Sequence, residues 1–244
     1  MALRLTMPDC FPPLVGIAGA GSRGSNFARR YLEVELLPED RQSGCCLMAL
    51  DQPPSPCPPT VIVIAFAGDA GAHEELAAWA GYLQSSDARL ALFCMVGDQG
   101  PVELPGPYVL IPDNAATEVQ LTAALNCVAR SLVGYNLVNL RGSELREVCQ
   151  GAKRLFFATG RASGEERAQA ALDQALDAPG MRDRIQSARG VWGQVAASQA
   201  PLLWEAVTVI DALQNSTPDG AVVWAGGTHL PVDEGALRVS LLVA

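Results

Sequence analysis

The stretch Asn114–Gly134 constrains this chain most. Leu121, Leu125, Val128 and Leu132 fall at helical spacing and form one apolar stripe. Pro112 stops the strand-like run Tyr108–Ile111, Asn114 offers an oxygen to the first free amide of a helix, and Gly134 suits the left-handed residue that ends one. The pattern predicts a helix over 115–134. On both sides the sequence alternates strand and helix, so this helix is expected to be the spine of two α/β halves. The expected strands near 13–19, 45–51, 60–67, 90–96 and 108–111 form a parallel-rich sheet. Those near 153–159, 190–196, 221–225 and 237–243 form a second sheet.

A chain of 244 residues, 49% hydrophobic and 18% charged, can bury a sizeable core. Its net charge of −9 argues against nucleic acid and against anionic membranes, which need a basic surface. No apolar run approaches the length of a membrane span, and Met1–Cys10 lacks the pattern of a signal peptide. Seven scattered cysteines without a Cys-x-x-Cys pair read as free thiols in a reducing, cytoplasmic setting. With only His73 and His229 as histidines, no metal site and no histidine-based catalytic site is expected.

In the first half, the apolar strand Pro13–Gly19 runs into Gly19-Ala20-Gly21-Ser22-Arg23-Gly24-Ser25-Asn26 and a helix over 26–36. Strand, glycine-rich turn and helix direct backbone N–H groups at a phosphate. The same glycines also serve close strand-to-helix packing. Pro53–Pro59 is a stiff connector, Thr60–Ala67 a buried strand, and His73–Leu83 a helix. In the second half, Ser163-Gly164-Glu165-Glu166 has the form of a capping box ahead of the alanine-rich run Arg167–Leu176. Leu202–Leu213 is a helix, and Pro231–Gly235 is expected to join the last two strands as a hairpin-like loop.

Thr159–Ala168, with the sequence TGRASGEERA, closely resembles a run in the C-terminal domain of FtsZ, the bacterial tubulin relative. Ser187–Val191, Asp219–Gly226 and Leu237–Ala244 resemble the later strands of that domain. Upstream, Val15–Arg30 is similar to the first glycine loop and helix of FtsZ, Thr60–Gly68 to the strand before its second phosphate loop, and Tyr108–Asn114 to its Ile-Pro-Asn segment. The matches follow in order along nearly the whole chain. The resemblance implies a tubulin/FtsZ-like α/β fold: a Rossmann-type nucleotide domain over 1–113, a central helix and following loop over 114–150, and a smaller α/β domain over 151–244. It further implies a vestigial phosphate loop at Gly19, Ala20, Gly21, Ser22, Arg23, Gly24 and Asn26, with Gly68 and Gly71 in a second one.

Three departures from the family pattern bear on function. FtsZ carries a Gly-Gly-Gly-Thr-Gly-Thr-Gly phosphate loop, whereas this chain reads Gly68-Asp69-Ala70-Gly71-Ala72-His73-Glu74-Glu75. A carboxylate within ~4 Å of a phosphate charge costs about 1 kcal/mol in water and several times more in a dry pocket. Each missing hydroxyl forfeits roughly 0.5–1.5 kcal/mol. Asp69, Glu74 and Glu75 suit a helix N-terminus, so a helix cap is expected where the family has a phosphate cradle. The connector Pro53–Pro59 is too short for the two further nucleotide-contacting loops of the family. Finally, the family's Asn-Val-Asp-Phe-x-Asp-Val-Arg loop, whose acids help activate water, reads Asn139-Leu140-Arg141-Gly142-Ser143-Glu144-Leu145-Arg146. Arg141 cannot act as a base, which leaves Asn139, Arg141 and Glu144 as a degenerate loop.

The expectation is a cytoskeletal or scaffold protein of FtsZ/tubulin type that does not hydrolyse GTP and takes no cofactor. It would assemble with itself or join another FtsZ-like filament protein. The alternative is a diverged GTP-binding protein, or GTPase, with a reduced pocket holding GTP or GDP. A third class, an enzyme that reused the crevice, lacks a His, Cys or paired-acid constellation.

Overall fold

The computed structural model describes residues 15–35, 47–50, 61–66, 72–85, 90–97, 104, 106–133, 136–138, 140–199, 201, 203–230 and 232–244. Nine strands are β1 (Val15–Ala20), β2 (Leu47–Leu50), β3 (Val61–Phe66), β4 (Leu90–Val96), β5 (Tyr108–Ile111), β6 (Arg154–Ser163), β7 (Gly190–Ala197), β8 (Val222–His229) and β9 (Ala236–Val243). The helices are α1 (Gly21–Glu35), α2 (Ala72–Ser85), α3 (Thr117–Val133), α4 (Gly142–Val148), α5 (Arg167–Leu176), α6 (Met181–Gln186) and α7 (Leu203–Ser216).

The strands lie in the order β2-β1-β3-β4-β5-β6-β9-β7-β8. From β2 to β6 every neighbour is parallel, β9 runs antiparallel to both β6 and β7, and β8 is parallel to β7. The expectation of two separate sheets is therefore corrected. Tyr108 pairs with Arg154 and Val109 with Leu155, a two-rung bridge that makes the sheet continuous although a helix intervenes in sequence. Strand β4 shows how the first half is layered. Leu90, Leu92, Cys94 and Val96 join the core under α1 and α3, while Ala91, Phe93 and Met95 pack with Leu76 and Trp79 of α2 on the other face. Side chains alternate between faces along a strand, so one apolar run serves both helical layers.

The spine helix is present as α3, beginning at Thr117 rather than at residue 115. Asn114 caps the turn that leads into it: its Oδ1 accepts the Ala116 N–H at 2.8 Å, and the Thr117 hydroxyl accepts the Asn114 N–H at 2.8 Å. Leu121, Leu125, Val128 and Leu132 are all buried, as their spacing requires. The helix is also buried on other sides, at Asn126, Cys127, Arg130 and Ser131. Polar side chains tie it to its surroundings there. Tyr31 of α1 donates to Asn126 Oδ1 at 2.8 Å, Trp192 Nε1 of β7 to the Cys127 carbonyl at 2.8 Å, and Gln194 Nε2 to the Asn126 carbonyl at 2.7 Å.

Two local expectations fail for identifiable reasons. Ser163 does not cap a helix. It is the last residue of β6, paired with Ala236 of β9, and Gly164 turns the chain at φ 98° so that α5 starts only after Glu166. The loop before β9 is not a hairpin, because β9 inserts between β6 and β7 and β8 is left at the sheet edge.

Candidate functional site

In the five-strand series β2-β1-β3-β4-β5 the order reverses between β1 and β3, and in such sheets ligands sit beyond the carboxyl ends of the strands around that point. The residues read as a phosphate loop lie there, but they form no extended loop. Gly19 and Ala20 end β1, Gly21 opens α1 at φ 77°, and Ser22, Arg23, Gly24 and Asn26 occupy the first turns of the helix. The helix thus starts five residues earlier than the expected Asn26. A Cβ on Gly19 would come within 2.2 Å of the Gly24 carbonyl carbon, so close strand-to-helix passage alone requires a glycine there.

The first amide of α1 already has an anionic partner. Gly21 N–H donates to Glu75 Oε2 at 2.8 Å, across 54 residues of sequence. The sequence assigned Glu75 to the N-terminus of its own helix. Instead its side chain reaches from the first turn of α2 to the N-terminus of α1, and a carboxylate stands where the helix dipole and the free amide favour negative charge. A phosphate directed at that amide would have to displace this hydrogen bond and approach the Glu75 charge. Gly68, Gly71 and Asp69 lie outside the described residues, as does the proline connector 53–59.

Beside this amide a cleft of about 310 Å³ opens between α1, the start of α3 and the end of β4. Asn26, Phe27, Val96, Thr117 and Leu121 line it. Two ion pairs cross from α1 to the α3 side. Arg23 holds Asp113 through a fork, Nη1 to Oδ2 at 3.0 Å and Nη2 to Oδ1 at 2.8 Å, and Arg30 meets Glu118 at 3.0 Å. The Arg23 hydrogen bonds hold the Asp113 carboxyl below the usual carboxylate range, helped by the charge of Arg23 and by Thr117. Among the described residues no group of three or more His, Cys, Asp or Glu side chains could hold a metal ion. Cys94, Cys127 and Cys149 are buried free thiols; burial pushes Cys94 and Cys149 up to about 12 and Cys127 higher still.

The loop after α3 is separate from this cleft. Asn139 lies outside the described residues. Arg141 is exposed, and its backbone N–H donates to Glu144 Oε2 at 2.7 Å. Glu144 therefore closes the first turn of α4, a role Ser-x-x-Glu spacing did not flag because the capped residue is an arginine. Helix α7 presents a third feature. Ala206, Val209 and Leu213 face the core, whereas Leu203, Trp204 and Val207 remain 62%, 52% and 44% exposed. Glu205 lies inward on the same turn, gripped by Arg167 through Nε–Oε1 at 2.6 Å and Nη2–Oε2 at 3.1 Å.

These features define a tubulin-like fold: a doubly wound sheet with its crevice, a buried central helix, and a smaller α/β half on a shared sheet. In both fold and sequence the chain is similar to FtsZ proteins. The chain superimposes on the empty FtsZ dimer of M. jannaschii with a TM-score of 0.72 at 16% identity, covering 96% of this chain and 88% of that one. A W319Y mutant of the same FtsZ gives 0.76, and TubZ of Bacillus thuringiensis serovar israelensis, described as GDP-form protofilaments, gives 0.53. By sequence the chain is 26% identical over 129 residues to cell division protein FtsZ 1 of Rhizobium meliloti (strain 1021), covering 52% of this chain. It is 27% identical over 168 residues to FtsZ of Buchnera aphidicola subsp. Schizaphis graminum (strain Sg), covering 61%. The matched segments span 22% and 44% of those two relatives. No family model matches the chain. Among the described residues no helix is long and apolar enough to cross a membrane.

Proposed function

We propose that this chain is an FtsZ-like assembly protein that neither needs nor hydrolyses GTP, and that it self-associates or joins an FtsZ-like filament. The observation that carries the reading is the Glu75 carboxylate on the Gly21 amide at 2.8 Å. The first amide of the helix N-terminus that would receive a phosphate is bonded from within the chain, and the carboxylate bonded to it repels phosphate. The exposed residues Leu203, Trp204 and Val207 support the assembly half of the reading, since grouped apolar side chains at a surface mark partner sites. The relatives are cell division proteins by name, and one neighbour was solved as protofilaments. Cytoplasmic location belongs to the same proposal.

The cleft of about 310 Å³ favours a second reading, a diverged GTP-binding protein with a reduced pocket. Purifying the protein under native conditions, extracting it with acid and chromatographing the extract separates the two. No guanine nucleotide at stoichiometric level supports the scaffold; one GDP or GTP per chain supports the second reading and overturns the first.

A further inference from the structure

We propose that the outer edge of β8 is a docking site for an extended, lysine- or arginine-bearing peptide from another protein, bound as an added strand. Strand β8 pairs on one side with β7 and is the last strand of the sheet. Its opposite edge is half covered. Leu137 N–H donates to the Gly227 carbonyl at 2.9 Å, and the Val138 carbonyl and Leu140 close over Gly226. Backbone groups alternate sides along a strand. Since the Gly227 carbonyl points outward, Val223 and Ala225, four and two residues upstream, turn their N–H and C=O groups to the same open side. Val222 agrees with this register, for its N–H is directed inward to the Arg189 carbonyl at 2.9 Å. Among the described residues none pairs with the outer edge at Val223 or Ala225. Such an edge is a template for another chain.

The space beside this edge is built to receive one. A groove of about 370 Å³ runs along Val222–Trp224, between Glu147 of α4 on one side and, on the other, Gln214 of the last turn of α7 and Thr217 just beyond it. Asp219 lines its end, and no Lys or Arg is among the lining residues. The Trp224 indole donates to Glu147 at 3.3 Å, which sets a carboxylate beside an aromatic ring in the groove wall. Two carboxylates, the carbonyl end of α7 and an indole together favour a cationic side chain. Unpaired backbone groups fix the partner as extended, and the charge of the walls fixes it as basic. The site lies apart from the cleft at α1 and from the Leu203–Val207 face, and it stands whether or not the proposed function holds.

The test uses the full chain and fluorescein-labelled octapeptides of alternating lysine and valine, read by anisotropy. The lysine–valine peptide is expected to bind saturably and to weaken as salt is raised. Glu147→Gln with Asp219→Asn is expected to weaken it about fivefold, as loss of two partly exposed charge contacts requires. Both substitutions keep side-chain size, and a far-ultraviolet spectrum checks that the variant is folded. A glutamate–valine peptide and a lysine–valine peptide with N-methylated backbone are both expected not to bind. Equal binding of the N-methylated peptide would reduce the effect to charge adsorption and overturn strand addition. Absence of saturable binding by the unmodified peptide would overturn the site. Dimerisation of the protein through β8, abolished by Val223→Pro, would overturn the heterologous partner in favour of a second copy.

Discussion

The Glu75 carboxylate accepts the Gly21 amide hydrogen at 2.8 Å, so the N-terminus of α1 is bound by the helix that follows β3. One consequence is measurable. Glu75→Ala frees the amide and removes the charge, and the variant is expected to bind pyrophosphate about fivefold more tightly than the parent, the effect of relieving about 1 kcal/mol of repulsion at ~4 Å in water. Calorimetric titration of both proteins with pyrophosphate measures this. Equal affinities would show that Glu75 does not govern anion access.

Phosphate release from GTP is expected to match a protein-free control. Arg141 stands where the family places an acid, and Glu144 is engaged with the Arg141 N–H at 2.7 Å. Loss of one charge-stabilising contact in a catalytic site typically costs 10²–10³ in rate, so losses at the phosphate and water positions together bring turnover to background. A malachite-green assay with the parent and Arg141→Ala checks it. Release that depends on the protein and disappears in Arg141→Ala would make Arg141 a catalytic group.

Asp113 is expected to titrate below the usual carboxylate range because of its fork with Arg23. A depressed folded-state value contributes stability that is present above the ordinary carboxylate value and is lost as pH falls through the lower one. Carbon-detected NMR of the Asp113 carboxyl should show the low value, and Arg23→Ala should return it toward the ordinary range. An unchanged titration in that variant would remove Arg23 as the cause.

Arg167 and Glu205 join α5 to α7, with the Glu205 side chain only 2% exposed. Arg167 also donates to the Gly235 carbonyl at 3.1 Å. Removing one partner of a buried pair is strongly destabilising, and Arg167→Ala is expected to cost about 3 kcal/mol. Thermal melts should show Glu205→Gln less damaging, since its amide oxygen still accepts a hydrogen bond from Arg167. Equal, small losses would place the pair among solvent-screened surface contacts.

Element order and the buried stripe of α3 were legible because apolar period and turn residues act locally. Glu74 and Glu75 were legible as acids at the start of α2, where the helix does begin at Ala72; Asp69 lies outside the described residues. What the Glu75 side chain does was not legible, because its partner lies 54 residues away and local pattern carries no sign of it. The same holds for the rungs Tyr108–Arg154 and Val109–Leu155, which are backbone pairings indifferent to side chain. Ser163 misled for a related reason: a capping-box spacing is outweighed when the β6–β9 ladder extends to Ser163–Ala236. The α7 sequence showed more apolar positions than one core face needs, yet only packing distinguishes buried Ala206 and Val209 from exposed Trp204 and Val207.

That exposed face carries the final expectation, which concerns self-association without nucleotide. Leu203, Trp204 and Val207 lie on adjacent turns of α7, and Arg141 and Arg146 are exposed near the start and end of α4. Glu75 is committed to Gly21, so among the described acids at the α2 N-terminus Glu74 remains to face a partner's arginines. An exposed apolar face together with exposed charges elsewhere on the surface predicts association that weakens in high salt without vanishing, because charges govern encounter more than affinity. Sedimentation velocity at tens of micromolar protein without GTP, in low and in high salt, measures it. Trp204→Lys with Val207→Lys should give a monomer whose melting temperature is nearly unchanged, since substitutions at exposed positions stay within about 0.5 kcal/mol. A parent protein that sediments as a strict monomer in low salt would eliminate self-assembly and leave attachment to a different filament as the function of the α7 face.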